Sequence, residues 1–392
     1  MLLKSITDAI WDESLWFPGV FAGRTYGWKD LQNEPGSNVY LPQIWDLHWS
    51  IVLGAFLVVF RSVLERLVIT PIGYYLGIPR KRQYNVTPNP LLEAAYKQNK
   101  KQQDLQLLSK RTDWTPRQIE VWFRKRKKQD ATPTIRKFCD SGWRFLFHTT
   151  SFTYGLFVLW NKPWFRSTRE CWTDWPKQYI SDDIYWYYMI ELSYYWSLIF
   201  TLVSDHKRAD FKQMLIHHIA SIVLIYFSWL TNYVRIGTLV LVIHDASDPW
   251  LEIAKLGIYL KWKTATDVFF TIFVLVWTVA RHFLLPYTVL FLTTFGYLEY
   301  IDKLTFAYYF FNFFLYLLMA LSCIWSYHIY KMVFQKLRQG EVTDSRSDLD
   351  EDTSSDETNG CNESKNGMVK NGNFNNLAEM IHSKGKTKHL YN

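Results

Sequence analysis

Seven long apolar windows constrain this chain more than any other feature of its sequence. They cover residues 44–64, 143–160, 184–203, 214–230, 237–256, 268–292 and 307–333. About 20 mainly apolar residues span the hydrocarbon core of a bilayer as a helix, and a helix satisfies its own backbone hydrogen bonds there. The sequence therefore predicts an all-α, polytopic membrane protein with about seven transmembrane helices.

Charge between the first two windows predicts the orientation. Residues 61–144 contain 19 Lys and Arg against 7 Asp and Glu, and such an excess stays on the cytosolic side of a membrane. The N-terminus then faces the lumen. The predicted organisation is a lumenal N-terminal segment (1–43), a first anchor (44–64), a basic cytosolic segment (65–142), a membrane domain (143–335) and a disordered cytosolic tail (336–392).

The basic cytosolic segment carries a helix–turn–helix pattern. Residues 104–110 predict a short helix, and Thr115 followed by Pro116 is an N-cap with proline at the first helical position. These two residues predict a second helix that ends at about Gln129.

The second of these helices resembles the recognition helix of a homeodomain, with Trp122 and Phe123 as core residues of a homeobox-like insert over about 88–130. Homeodomains place an adenine-reading asparagine where this chain has Lys125. We therefore expect the basic face to meet anionic lipid or another anionic ligand and not nucleic acid.

Five ionisable residues lie inside the fourth and fifth windows: His217, His218, His244, Asp245 and Asp248. Such groups are costly at membrane depth unless they face a protein interior or a cavity, so they mark a candidate reaction centre. Residues three and four apart share a helix face, which predicts one stripe of Asp245, Asp248 and Glu252, with His244 beside Asp248. His217 and His218 differ by about 100°, so only one is expected to point squarely into a shared cavity.

Depth places the two groups level with each other. At about 1.5 Å per residue, His217 lies roughly 7 Å beyond Lys212, and Asp248 lies roughly 10 Å beyond Lys255, both from the cytosolic boundary. The two groups could therefore line one pocket that a cytosolic co-substrate and a lipid can both reach.

The residue types alone leave three interpretations open. Asp and His can satisfy each other in a structural network between helices. They are also acceptable metal ligands, although none of the dedicated zinc spacings is present, and we predict no metal. The third interpretation is acid–base or nucleophilic catalysis, in which an aspartate orients a histidine and stabilises its cation.

A wider pattern resembles the signature of ceramide synthases, members of the TLC superfamily. It consists of Asp210-Phe211, His217-His218, Ser228, Asn232, Arg235-x-Gly237-Thr238-Leu239, His244-Asp245-x-x-Asp248 and Leu251-Glu252-x-Ala254-Lys255. Pro249 departs from the expected pattern; it removes a helix donor and predicts a kink beside Asp248. The run 308–312 is more similar to members that use very long acyl chains.

The resemblance implies a multi-pass enzyme of the endoplasmic reticulum membrane, with a lumenal N-terminus and a cytosolic C-terminus. Such an enzyme acylates sphinganine or another sphingoid base with a fatty acyl-CoA co-substrate, holds no bound cofactor, and forms homo- or hetero-dimers with related synthases. It also implies acyl-length selection by the connection at about 295–305. Ser347 and Ser354 fit acid-directed phosphorylation sites in the tail.

Within this expectation the site residues take different roles. His217 is the general base or a nucleophile that forms an acyl-imidazole, Asp245 or Asp248 orients it, and His218 supports or replaces it. The substrate-binding candidates are His244, Lys207, Arg208 and Lys212. The rival functions are a non-enzymatic TLC-type protein that binds or translocates lipid, and a membrane-tethered DNA-binding regulator.

Overall fold

The computed structural model of the protein describes residues 9–18, 24–80, 86–97, 105–201, 210–301 and 303–339. The predicted residues Lys207, Arg208, Ser347 and Ser354 lie outside these ranges. The described residues form helices and no β-strand, which confirms the all-α class. A single antiparallel bridge joins Tyr40 to Ile180.

The described residues form eleven principal helices, α1 to α11 in chain order. They are α1 (Asp46–Leu64), α2 (Pro90–Lys97), α3 (Leu105–Thr112), α4 (Pro116–Asp130), α5 (Thr134–Leu159), α6 (Asp182–Thr201), α7 (Phe211–Leu230), α8 (Val234–Asp245), α9 (Asp248–Tyr259), α10 (Lys263–Thr278) and α11 (Phe306–Gln339). Shorter helical segments cover Glu13–Trp16, Trp28–Leu31, Glu65–Ile69, Thr70–Tyr75, Pro163–Arg166 and Thr168–Cys171.

Among the described residues, three helices are long and apolar enough to cross a membrane by themselves. They are Phe211–Leu230, Lys263–Tyr300 and Phe306–Arg338. Helices α1, α5 and α6 coincide with predicted windows and have 19, 26 and 20 residues, but they are not among these three. Helices α8 and α9 have 12 residues each, and either alone is shorter than a bilayer span. The described part of the protein is therefore all-helical, and three of its helices could each span a membrane alone.

The fifth predicted window is not one helix. Helix α8 ends at Asp245 and α9 begins at Asp248, with Ala246 and Ser247 in a turn between them. Pro249 lacks the N–H that would bond to the carbonyl of Asp245, so the helical ladder is interrupted there. The three residues of the predicted stripe therefore belong to two helices, with Asp245 at the end of α8 and Asp248 and Glu252 on α9, and the helix is interrupted where a kink at Pro249 was predicted.

The sixth window is longer than predicted. Helix α10 continues as π-helix through Val279–Leu290 and Leu292–Gly296 and ends with Tyr297–Tyr300. Pro286 stands inside this stretch, where it cannot donate a backbone hydrogen bond, and π-helical pairing accommodates such a defect. The 38 residues from Lys263 to Tyr300 exceed the length that a bilayer requires, and near the end of this helix Tyr297 packs edge-on against Trp172.

Aromatic side chains close the bundle at the end that carries the N-terminal segment. Trp16 is buried and stacks on Phe227 of α7, with ring centroids 5.1 Å apart. The indole N–H of Trp229 donates to the carbonyl of Gln43 at 3.0 Å. The segment before α1 is thereby held against α7.

Helices α2, α3 and α4 form a small apolar core of their own, in which Leu92, Ile119 and Trp122 are buried. The hydroxyl of Thr115 accepts from the backbone N–H of Gln118, which confirms the predicted N-cap of α4. Trp122 is a core residue as predicted, whereas Phe123 is only half-buried beside it.

Candidate active site

The histidine pair of α7 lies in a cavity among the membrane helices. The cavity has an empty volume of about 920 Å³. His217 and His218 both line it, and the opposite walls include His148 from α5, Tyr194 and Tyr195 from α6, and Asp248 from α9. Helix α7 and the start of α9 are thus brought to one site.

Both histidine rings reach the cavity, which differs from the expectation that only one would. The ring of His218 lies 6.1 Å from that of Tyr195, on the α6 side. The ring of His217 lies 5.4 Å from that of Trp325, on the α11 side. Because the cavity extends from α6 to α11 across the face of α7, two directions 100° apart both open into it.

The two aspartates lie against a histidine that the sequence analysis did not select. His148 Nδ1 is 3.6 Å from Asp245 Oδ1 and 3.9 Å from Asp248 Oδ2. Its other ring nitrogen, Nε2, is 3.3 Å from the hydroxyl of Tyr194. Among the described residues, His217 makes no hydrogen bond to either aspartate, so the imidazole that these carboxylates face belongs to His148.

These three residues supply a compact group of acceptor atoms. One atom each from His148, Asp245 and Asp248 lies within 4.8 Å of the others. His148 Nδ1 is buried and has no hydrogen-bond partner among the described residues. One imidazole nitrogen and two carboxylate oxygens at this spacing could hold a compact cation.

A buried polar network holds the carboxylate of Asp245 in position. Ser151 Oγ lies 3.0 Å from Asp245 Oδ2 and also contacts the carboxyl of Glu191. Asp245 and Glu191 are both buried and come from α8 and α6. The network holds Asp245 in place while Asp248, on the other side of the Pro249 interruption, faces the cavity.

His244 has a different position from the one expected of a substrate-binding residue. It is buried, and its Nδ1 donates to the carbonyl of Val240 at 2.8 Å when it carries the proton. The carbonyl of His244 accepts from Arg281 at 2.8 Å, and its ring lies 6.4 Å from that of His217. His244 therefore stands behind His217 and outside the cavity lining.

Basic side chains also border the cavity. Arg144, Lys255 and Arg281 are among its lining residues, and Lys255 Nζ lies 2.6 Å from Glu252 Oε1. Lys212, which we expected at the cavity mouth, is exposed at the start of α7 and does not line the cavity.

A second, mainly apolar cavity lies further along the same helices. It has an empty volume of about 580 Å³. Tyr188, Leu224 and Gly237 line it from α6, α7 and α8, and Trp172 and Tyr297 lie at its wall. Leu224 is seven residues beyond His217 in α7, which is roughly 10 Å along the axis. A polar cavity and an apolar cavity are thus stacked along one set of helices.

Comparison of the sequence with known proteins identifies the family of this chain. Residues 137–331 match the model of the TLC domain. The chain is 37% identical to ceramide synthase 5 of Homo sapiens over 359 residues, which cover 91% of this chain and 90% of that protein. It is 37% identical to ceramide synthase 3 of Mus musculus, over 88% and 89% of the two chains.

The chain belongs to the ceramide synthase family. A third relative, ceramide synthase 4 of Bos taurus, is 36% identical over 93% of each chain, so the similarity extends beyond the TLC domain to helices α2–α4. The residues matched to the TLC domain include the catalytic candidates of the polar cavity, from His148 to Asp248.

The ionisable residues of the site that the sequence analysis did not select include Arg144, His148, Glu191 and Arg281. Each lies in a predicted window at membrane depth. The criterion that selected the histidine pair, an ionisable group in an apolar span, would also have selected these residues. In the fourth and fifth windows several such groups are close in sequence, whereas His148 and Glu191 have no such neighbour within three residues.

Proposed function

We propose that this protein is an N-acyltransferase that joins a fatty acyl group from acyl-CoA to the amine of a sphingoid base, giving dihydroceramide or ceramide. Family membership supports the reaction. The structural observation that supports it best is the polar cavity among apolar helices, which His217, His218 and Asp248 all line.

The reaction needs groups that handle protons and the acyl carbon. A sphingoid amine is mostly protonated at neutral pH, because its ordinary pKa resembles that of lysine, and it must lose a proton before it attacks a thioester. His217 takes that proton or attacks the thioester itself to form an acyl-imidazole. In either route the C–S bond breaks, the amide C–N bond forms and coenzyme A leaves as the thiol.

The acyl chain extends into the apolar cavity. With the thioester carbon beside His217, the chain follows α7 toward Leu224 and its methyl end approaches Tyr297. The connection at 295–305, expected to select acyl length, contributes Tyr297 to this cavity wall. Lys207, Arg208 and Lys212 attract the coenzyme A phosphates from the cytosolic side.

The membrane arrangement that accompanies this function has seven spans, with α8 and α9 together forming the fifth. The protein lies in the endoplasmic reticulum membrane, its N-terminus is lumenal, and its C-terminus is cytosolic. Helices α2–α4 form the homeobox-like insert, and their basic face meets anionic lipid or another anionic ligand. The protein forms homo- or hetero-dimers with related synthases.

One assay tests the reaction. Purified protein is given labelled sphinganine and a series of acyl-CoA substrates from medium to very long chains, and N-acylated product is measured by mass spectrometry. We expect dihydroceramide formation that depends on both substrates. A folded protein that binds sphinganine and acyl-CoA but forms no amide would favour the non-enzymatic alternative, lipid binding or translocation.

A further inference from the structure

We propose that His148, Asp245 and Asp248 form the binding site for the ammonium group of the sphingoid base, and that His148 removes its proton. This inference rests on the proposed N-acyltransferase function and assigns the amine to a different histidine from the acyl group. His217 and His218 line, from α7, the cavity that His148 and Asp248 also line, and they remain available to the thioester.

The number and spacing of the acceptors fit a primary ammonium group. Such a group has three N–H donors, and acceptors about 2.8 Å from a tetrahedral nitrogen lie roughly 4.6 Å from each other. The three acceptor atoms of His148, Asp245 and Asp248 lie within 4.8 Å of one another, and Nδ1 is 3.6 and 3.9 Å from the two carboxylate oxygens, so shifts of about 1 Å open the group to this spacing. Two carboxylates that each contribute one oxygen, without the imidazole, would leave one of the three N–H donors without a partner.

The position of His148 Nδ1 supports its role as the proton acceptor. This atom has no hydrogen-bond partner among the described residues, and its distances of 3.6 and 3.9 Å to the two carboxylates are too long for direct bonds. Tyr194 stands at the other nitrogen, where its hydroxyl oxygen accepts from Nε2–H when Nδ1 is the free acceptor. The ring is thereby held with Nδ1 toward the carboxylates.

Ionisable groups from several helices face His148. They are Asp245 of α8, Asp248 and Glu252 of α9, Tyr194 of α6, and Arg144 one turn earlier on α5. The carboxylates favour the cationic form of the imidazole and Arg144 opposes it. Since Asp245 and Asp248 are the nearest of these groups, they stabilise the imidazolium that proton transfer creates.

The proton balance is complete with these groups. The ammonium gives one proton to His148 Nδ1, and the neutral amine attacks the acyl carbon. The amine's second proton accompanies the departing thiolate or the departing His217 imidazole, and the amide keeps the third hydrogen. His148 then releases its proton to water at the cavity, which equals the one proton that the overall reaction produces.

The test compares two acyl acceptors in the full-length protein. His148→Gln keeps hydrogen-bonding capacity but cannot accept a proton, and His328→Gln, in α11 outside the cavity lining, is the matched control. Acyl transfer is measured to sphinganine between pH 6 and 9, and to hydroxylamine, which is mostly unprotonated at neutral pH. We expect His148→Gln to lower kcat/KM for sphinganine at pH 7 by roughly 10²-fold or more.

The loss in kcat/KM for sphinganine should shrink about tenfold for each unit by which the pH rises, because the variant can use only amine that is already deprotonated. Transfer to hydroxylamine above its uncatalysed background should stay near the wild-type rate. Asp248→Asn gives a second measurement, a raised KM for sphinganine with hydroxylamine transfer retained. His328→Gln should match the wild type in every assay.

Four outcomes would overturn the inference. They are an unchanged pH profile in His148→Gln, a parallel loss of transfer to hydroxylamine in that variant, an unchanged KM for sphinganine in Asp248→Asn, and a stoichiometric divalent metal in the wild type that both variants lose. A wild-type protein that forms no amide from sphinganine would instead contradict the proposed function.

Discussion

Gly237 lies so close to Tyr188 that a Cβ atom on residue 237 would stand 1.8 Å from the tyrosine hydroxyl oxygen. Both residues line the apolar cavity, and the hydroxyl of Tyr188 is hydrogen-bonded to Ser228. The width of the cavity at this level is therefore set by the absence of a single side chain.

Gly237→Ala should shift the acyl profile of the product toward shorter chains. The added methyl group forces Tyr188 into the cavity or breaks its bond to Ser228, at a stability cost of about 1–3 kcal/mol. Product lengths over an acyl-CoA series are the measurement. Combining the change with Tyr188→Phe removes the oxygen in closest conflict and should restore part of the wild-type profile; a profile identical to wild type in the single variant would contradict the assignment.

Tyr297→Ala should shift the profile toward longer chains. Tyr297 is buried at the cavity wall and packs edge-on against Trp172, with ring centroids 5.5 Å apart, so its removal extends the cavity. Phe295→Ala is the matched control, since Phe295 belongs to the same connection but is exposed. Exchange of the whole stretch 295–305 with that of a relative of different preference tests the same prediction, and a well-folded chimera with an unchanged profile would refute it.

His217→Ala should abolish acyl transfer while the protein remains folded. Loss of a general base or nucleophile typically costs about 10²-fold or more in rate. Ile219→Ala, an exposed position two residues along α7, is the control for helix integrity. Mass spectrometry after incubation with acyl-CoA alone separates the two routes: an acyl adduct on His217 indicates covalent transfer. Near wild-type turnover in a folded variant would exclude the assigned role.

Asp248→Asn and Asp245→Asn should each reduce acyl transfer to sphinganine, because an amide cannot stabilise a cation as a carboxylate does. A hydrogen bond to a charged group contributes about 1.5–3 kcal/mol, which corresponds to a loss of roughly ten- to a hundredfold. Asp248 faces the cavity, whereas Asp245 also accepts from Ser151, so Asp245→Asn should lower the unfolding temperature as well. Full activity in both single variants would show that the carboxylates only pack the helices.

The basic face of α4 should not select a DNA sequence. Lys125 and Arg124 are exposed on this helix, as nonspecific electrostatic contacts require. Selection from a random duplex library with the full-length protein is the measurement, repeated at two salt concentrations. A reproducible motif that is lost in Lys125→Ala would show base readout and contradict this prediction.

The sequence by itself determined the helical class, the N-cap of α4 at Thr115 and the interruption beside Asp248. Each of these follows from local chemistry: hydrophobic windows of bilayer length, a hydroxyl that satisfies a free N–H, and a proline that lacks a donor. It also identified His217, His218 and Asp248 as candidates, because ionisable groups in apolar spans are energetically costly unless they face a protein interior or a cavity.

Only the tertiary structure decided which imidazole the aspartates face. His148 and Asp245 lie in α5 and α8, and their separation of 3.6 Å depends on the rotation and axial position of one packed helix relative to the other. The same packing directs both histidines of α7 into one cavity and places His244 outside it. Helical periodicity fixes directions around a single axis, whereas contacts between axes arise from side-chain packing that residues far apart in the sequence determine together.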